Sequence, residues 1–227
     1  MVQRLLEQAA QAVELVRGGG VAIVPTDVCY VMIGHRKVAL ERIYAAKNRS
    51  LTKPSGAFGN LALFNELHVV DERARDMVRA LVVDHDLPVS VVAPFRKDHP
   101  MFRRLDGFVK RRAVLGGTLD MLLNAGVFHD EMTRIAHEKS LLIIGSSANL
   151  SLTGSRFRLD EVNKAVRAAA DFEVDGGPSK YANDDGLSST IIDLRRLETI
   201  RPGVCYDRIR EVLRRDFAVE LAEAHHF

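Results

Sequence analysis

The sequence is poor in cysteine, in long apolar runs and in charge of one sign. It has two cysteines, Cys29 and Cys205, among 227 residues. Two thiols make no disulfide framework, and a chain of this length with so few is expected in a reducing cytoplasm. No apolar run approaches the roughly 18 residues of a membrane span. The N-terminal stretch "MVQRLLEQAAQAVELV" is interrupted by Arg4, Glu7 and Glu14, so it reads as an amphipathic helix and not as a signal peptide. Charge of one sign is missing too: the formal net charge is +2, which removes a global field for nucleic acid or membrane. Proline and glycine are ordinary in number, and neither internal repeats nor low-complexity tracts occur. What is present is 47% hydrophobic and 27% charged residues, a globular composition long enough for one domain with a sizeable core. The expectation is a single domain over residues 1–227, with 204–227 as a C-terminal helical tail.

Periodicity supplies the elements. Leu5, Leu6, Ala9, Val13 and Val16 recur at helical spacing, and Gly18, Gly19 and Gly20 end that helix because glycine tolerates a left-handed cap. Residues 21–24 are a short apolar run suited to a strand buried on both faces. Helices are predicted over 38–47, over a stretch capped by Asp71, over 128–139 and over 160–170. Strands are predicted over 88–94, 141–144, 188–194 and 198–203. Helices alternate with strands throughout, so an α/β layered fold follows.

Three of the buried strands end in small polar residues: Pro25-Thr26-Asp27, Gly145-Ser146-Ser147-Ala148-Asn149, and Ser188-Ser189-Thr190. Ligands collect at strand ends in α/β sheets, where small residues let backbone N–H groups approach an anion. Ordinary turn chemistry favours the same residue types. In "KNRSLTKP", Lys47, Arg49 and Lys53 place three cations within seven residues with no intervening acid. They suit a polyphosphate, with Arg49 as a planar fork and Lys47 as a point charge; a solvated helix end would also use them. Arg201 in "IRPG" ends a β-type run and can reach a phosphate.

In this order, "PTDVCYVM", "KNRSLTKPSGAF", "GSSANLSLTG", "SSTIIDL" and "IRPG" resemble the YrdC/YciO family of threonylcarbamoyl-AMP synthases. The resemblance spans roughly Leu5 to Gly203. It implies an α/β (α+β) YrdC-like three-layer fold with a twisted mixed sheet and a large concave cavity. It implies ATP, bicarbonate and L-threonine as substrates, usually with magnesium (Mg2+), and a threonylcarbamoyl adenylate made for tRNA modification at adenosine 37. The implied partners are a nucleotide, a small-molecule substrate and the proteins of the tRNA threonylcarbamoylation pathway. By position, Arg49 and Lys53 face the nucleotide phosphates with Lys47 beside them, and Ser147, Asn149 and Arg201 serve the ATP side. Lys47 and Arg49 are the catalytic pair. Thr26, Tyr30 and Ser189 lie near the amino acid and carbamate.

The departures from the family pattern cluster. Val28 stands where the family has a second threonine, Val31 where it has a glycine, and Phe58 where it has a histidine. Counting back from "SSAN" puts Ala125 at the family's arginine and His129 at its histidine. A rival register uses Arg112 and requires an insertion. The lost residues belong to the amino-acid side, so the expectation is intact nucleotide binding with a changed acceptor.

Other readings stay open. Arg96, Lys97, Arg103, Arg104, Lys110, Arg111 and Arg112 outnumber Asp98 and Asp106 across the segment 96–112. That segment suits a nucleotide- or RNA-binding paralogue without catalysis, with tRNA or double-stranded RNA as partner; it equally suits a solvated face. An adenylate-forming enzyme for a different acceptor is the other alternative. Cys29 has no assignable His/Asp pair and reads as packing. His129 and His137 are spaced too widely for a zinc helix, and His225 and His226 fall at a terminus, where disorder is the default.

Overall fold

The computed structural model describes residues 2–223, so His225 and His226 lie outside the described residues. The first helix, α1 (Val2–Gly18), buries Ala9, Ala12, Val13 and Val16 on one face. Gly19 ends it at φ +104, donating from its N–H to the Val16 carbonyl at 3.0 Å. The chain then enters β1 (Ala22–Val24), which is wholly buried. A tight turn returns it antiparallel as β2 (Val31–Gly34), pairing Val24 with Val31 and Ala22 with Ile33.

α2 (Lys37–Ala46) buries Ala39, Leu40, Ile43 and Tyr44. It leads through the cationic loop to β3 (Gly56–Phe58). Next come α3 (Leu61–Leu67), capped by Asn60, and α4 (Glu72–Arg79). The Asp71 side chain caps α4 by accepting from the Ala74 N–H at 2.8 Å, as its residue type predicts. β4 (Val89–Pro94), α5 (Pro100–Arg103), α6 (Gly107–Ala113), β5 (Val114–Leu115), β6 (Thr118–Leu123) and α7 (Val127–Glu138) follow. β7 (Ile143–Ser147) starts and ends later than the apolar run suggests.

The helix expected over 160–170 is two short turns. A 3-10 turn covers Leu159–Glu161 and α8 covers Lys164–Arg167. Val162 between them is extended, and Asn163 restarts the helix by accepting from the Ala165 N–H at 2.8 Å. β8 (Phe172–Glu173), β9 (Ile191–Asp193) and β10 (Glu198–Arg201) complete the sheet ahead of α9 (Tyr206–Phe217). The tail is not helical throughout. Ala218 turns left-handed at φ 53, which brings Leu221 into the core, and β11 (Ala222–Glu223) joins the sheet parallel to β10.

The eleven strands of the described residues form one mixed sheet, ordered β11-β10-β9-β4-β6-β3-β7-β2-β1-β8, with β5 also on β6. Strand alternation divides its side chains. Leu119, Met121 and Leu123 of β6 enter the largest core with α3, α4 and α9. Val24, Val31, Phe58, Leu122 and Ile143 enter a second core with Ala9 and Val13 of α1 and Phe128 and Met132 of α7. Around β4, β6 and β9 that second face carries Ser90, Asp120 and Ile191 instead, and a cavity opens there. No helix of the described residues is long and apolar enough to cross a membrane.

Gly145 lets β7 lie against β2. A Cβ there would meet the Met32 carbonyl and come within 3.0 Å of the Phe58 ring. Gly145→Ala is therefore expected to destabilise the fold by about 1–3 kcal/mol through overpacking. A urea midpoint unchanged from the parent would contradict this.

Candidate functional site

The turn at residues 25–30 is tied by its own side chain. The Thr26 hydroxyl donates to the Cys29 carbonyl at 2.6 Å and accepts from the Cys29 N–H at 3.2 Å. The Asp27 N–H reaches the Ala125 carbonyl at 2.7 Å, and the Tyr30 N–H the Arg156 carbonyl at 2.8 Å. The Tyr30 hydroxyl donates to the Gly177 carbonyl at 2.8 Å and accepts from the Gly176 N–H at 3.0 Å. Burial pushes its pKa up to about 12. Polarity here serves closure: a buried turn must satisfy its own backbone groups, and Thr26 and Tyr30 spend their hydroxyls doing so.

The cationic loop leaves α2 through Asn48, left-handed at φ 48. Tyr44 braces it by donating to the Lys53 carbonyl at 2.7 Å and accepting from Ser55 at 3.0 Å. The Arg49 guanidinium lies 5.7 Å from the centre of the Tyr44 ring and donates to the Pro54 carbonyl. Its Nε is buried without a partner. Lys47 is only 1% exposed and donates to the Ser147 carbonyl. Burial first, and the Arg49 charge second, bring its pKa down to about 7.

On the far side, the Arg201 Nη2 donates to the Ser189 carbonyl at 2.8 Å and to its hydroxyl at 3.3 Å. Ser189 and Ser90 share a hydrogen bond of 3.0 Å. Gly203 permits this closeness, since a Cβ would strike the backbone at Ser188 and Ser189. Burial lowers the Arg201 pKa, partly offset by Asp120.

These groups surround a cavity of about 280 Å³. Of the residues singled out in the sequence, Arg49, Lys53, Ser147, Ser189 and Arg201 line it, and so do Val28, Val31 and Phe58. Lys47, Asn149, Thr26 and Tyr30 are not in its wall. The Asn149 amide donates to the Leu150 carbonyl at 2.6 Å. Ala125 lies against a different hollow, beside Thr26 and Asp27; the residues that β6 turns to the cavity are Asp120 and Leu122. His129 is fully buried, with its ring on the Leu122 carbonyl at 3.2 Å. His137 pairs instead with Glu66 at 2.7 Å. Arg112 is not in the cavity wall either: its guanidinium lies 5.2 Å from the Phe108 ring centre. In the segment 96–112, Lys110 donates to the Arg103 carbonyl at 2.8 Å, while Arg96, Lys97, Arg103, Arg104 and Arg111 are exposed. The Cys29 thiol is buried, shares 3.3 Å with the Ser188 hydroxyl, and has its pKa raised by burial, which opposes nucleophilic use.

Asp120 and Ser90 are wall residues that the sequence reading passed over, while Ser146 and Ser188 belong to the strand-end stretches it singled out. Asp120 had a visible signal, a lone acid inside the apolar run "TLDMLL". Burial pushes its carboxyl up to about 6, against the pull of Arg201.

Lys47 makes stability depend on pH. Unfolded, it holds its proton up to about 10.5; folded, it releases it near 7. Between those values the unfolded chain binds the extra proton, so the lysine's penalty is full below 7 and fades as pH rises. Lys47→Met is expected to gain on the parent most near pH 7 and least near pH 10, read from urea midpoints. Parallel profiles would contradict it.

No protein-family model and no curated protein matches the sequence. Solved structures do match. The hypothetical protein smu.1377c from Streptococcus mutans UA159 superposes with a TM-score of 0.74 at 17% identity, over 95% of this chain and 94% of that one. P. abyssi Sua5 complexed with L-threonine superposes at 0.76 and 19% identity, over 96% of this chain. This chain spans only 59% of Sua5. E. coli YciO superposes at 0.64 and 21% identity, over 88% of this chain and 90% of its own. The chain therefore carries the YrdC-like fold, a mixed sheet with flanking helices like that of Sua5 and YciO.

Proposed function

We propose that the chain binds ATP through its phosphates in the 280 Å³ cavity and forms a carbamoyl adenylate on an acceptor whose site differs from that for threonine. The observation that carries this reading is the convergence of Arg49, Lys53 and Arg201 on one cavity whose rim is built from Gly145, Ser147 and Ser189. Three cations among small residues suit a polyphosphate, because the backbone can approach the oxygens and the guanidinium forks bind them in pairs. The cavity is near the low end of small-molecule sites, roughly 300–1,000 Å³. It takes phosphates and a small acceptor, and leaves base and ribose outside.

In this reading Arg49 and Lys53 hold the phosphates from the α2 side and Arg201 from the opposite wall. Charge developing on the α-phosphate and pyrophosphate is stabilised by groups already in place. Bicarbonate and the acceptor amine meet by positioning, without a covalent enzyme intermediate. Among the described residues no group of three or more His, Cys, Asp or Glu side chains could hold a metal ion, and Asp120 is the one acid in the cavity wall. The described residues do not by themselves form such a cluster for magnesium, and no step here depends on one. Val28, Val31 and Phe58 line the cavity as apolar wall, which supports a changed acceptor: a carboxylate buried against them lacks a charged partner.

Titration calorimetry tests this. Arg49→Ala and Lys53→Ala are each expected to weaken ATP roughly tenfold or more, the worth of a charge-assisted hydrogen bond. L-threonine, added to the ATP-bound protein, is expected to bind no better than weakly, and a pyrophosphate-release assay reads turnover directly. ATP affinity indifferent to both substitutions, or micromolar threonine binding, would overturn the reading.

A further inference from the structure

Asp120 is an unpaired acid in a basic cavity. Its Oδ1 is buried with no hydrogen-bond partner, and only the pull of the Arg201 charge offsets its burial. The nearest opposing charge, Arg201, is turned to the Ser189 carbonyl and hydroxyl. Oδ2 faces Gly56, where a Cβ would lie 3.0 Å away, so glycine at that position leaves the carboxylate uncrowded. A second unsatisfied group, the buried Ser146 hydroxyl, belongs to the same wall. Buried polar groups in folded proteins are paired almost without exception, so those left over in a cavity mark where a ligand supplies the partner.

We propose that Asp120 is the specificity-determining residue of the cavity and receives the protonated amine of a small second substrate. The assignment rests on the nucleotide reading above. Phosphates answer the three cations, Arg49, Lys53 and Arg201, so Asp120 must share its counter-charge, Arg201, with the nucleotide. An ammonium fits better than a metal ion. Mg2+ keeps several waters, and this carboxylate has one oxygen sealed from solvent and no cluster of further ligands among the described residues. The groups facing Asp120 are few. β10 offers Arg201, the charge that acts on Asp120; Arg49 and Lys53 of the cationic loop line the same cavity, while β3 and β4 contribute Gly56 and Ser90, which do not titrate in this range.

The experiment is calorimetry on the full chain, with and without saturating ATP. The probes are matched pairs that differ by one amine: ethanolamine against ethylene glycol, β-alanine against propionate, and L-lysine against L-norleucine. The amine member of at least one pair is expected to bind about tenfold more tightly or better. That preference should grow from about pH 5 to about pH 7.5, because the carboxylate is ionised only above about 6 while an alkyl ammonium stays charged throughout. Asp120→Asn should abolish both the preference and its pH dependence while keeping ATP affinity within about twofold. Gly56→Ala, which keeps the charge but crowds Oδ2, should reduce the preference. The proposal is overturned if no pair shows a preference, if the preference survives in Asp120→Asn, if that variant loses ATP as well, or if magnesium is the ligand it loses. An amine preference in a parent protein that does not bind ATP would sink the nucleotide reading and leave the Asp120 assignment standing.

Discussion

The two-residue period of β6 couples the core to the cavity. Leu119, Met121 and Leu123 are committed to the largest core, so Asp120 and Leu122 must face the other way. A slip of one residue would drive the Asp120 carboxylate into hydrocarbon and turn Met121 outward. The register is held on both flanks: β4 pairs antiparallel along the whole strand, and β3 pairs parallel at Met121 and Leu122. Core packing thereby sets where the cavity's acid stands.

The cavity itself follows from uneven covering of one sheet face. α1 and α7 lie over β1, β2 and β7 and draw Val24, Val31 and Ile143 into an apolar cluster. Farther along, around β4, β6 and β9, the same face lines the cavity, where Ser90 and Asp120 join Ile191. Desolvation acts on Arg201 and Asp120 in the wall and on Lys47 outside it, lowering Lys47 and Arg201 and raising Asp120. Each shift opposes the charged form, as burial must, and a ligand relieves a shift only where it brings the opposite charge.

Much of this was legible where local chemistry is self-sufficient. Asp71 announces its helix, the three glycines close α1, and "KNRSLTKP" with "IRPG" points to the cations that meet in the cavity. Less was legible where polarity serves closure. Thr26 and Tyr30 look like binding groups in a linear reading, yet their hydroxyls are spent on backbone atoms of residues 29, 176 and 177. Ala125 was placed by counting along the chain, whereas the cavity wall is set by strand parity, which selects Asp120 and Leu122. β2 and β3 are four and three residues long and buried almost throughout, so they carry no alternation to read. The broken helix near Asn163 escaped because an apolar stripe continues through Val162 and Val166 while the backbone does not.

The two outermost strands of the sheet, β8 and β11, are each two residues long, and each carries a glutamate, Glu173 and Glu223. Strand edges are templates for pairing with another molecule, and brevity and charge are the usual defences. β11 covers the open side of β10, the strand that ends in Arg201. The few residues after α9 thus act as a guard rail: they withhold an otherwise unpaired ladder from neighbouring molecules, and they keep the strand bearing a cavity arginine out of intermolecular sheet.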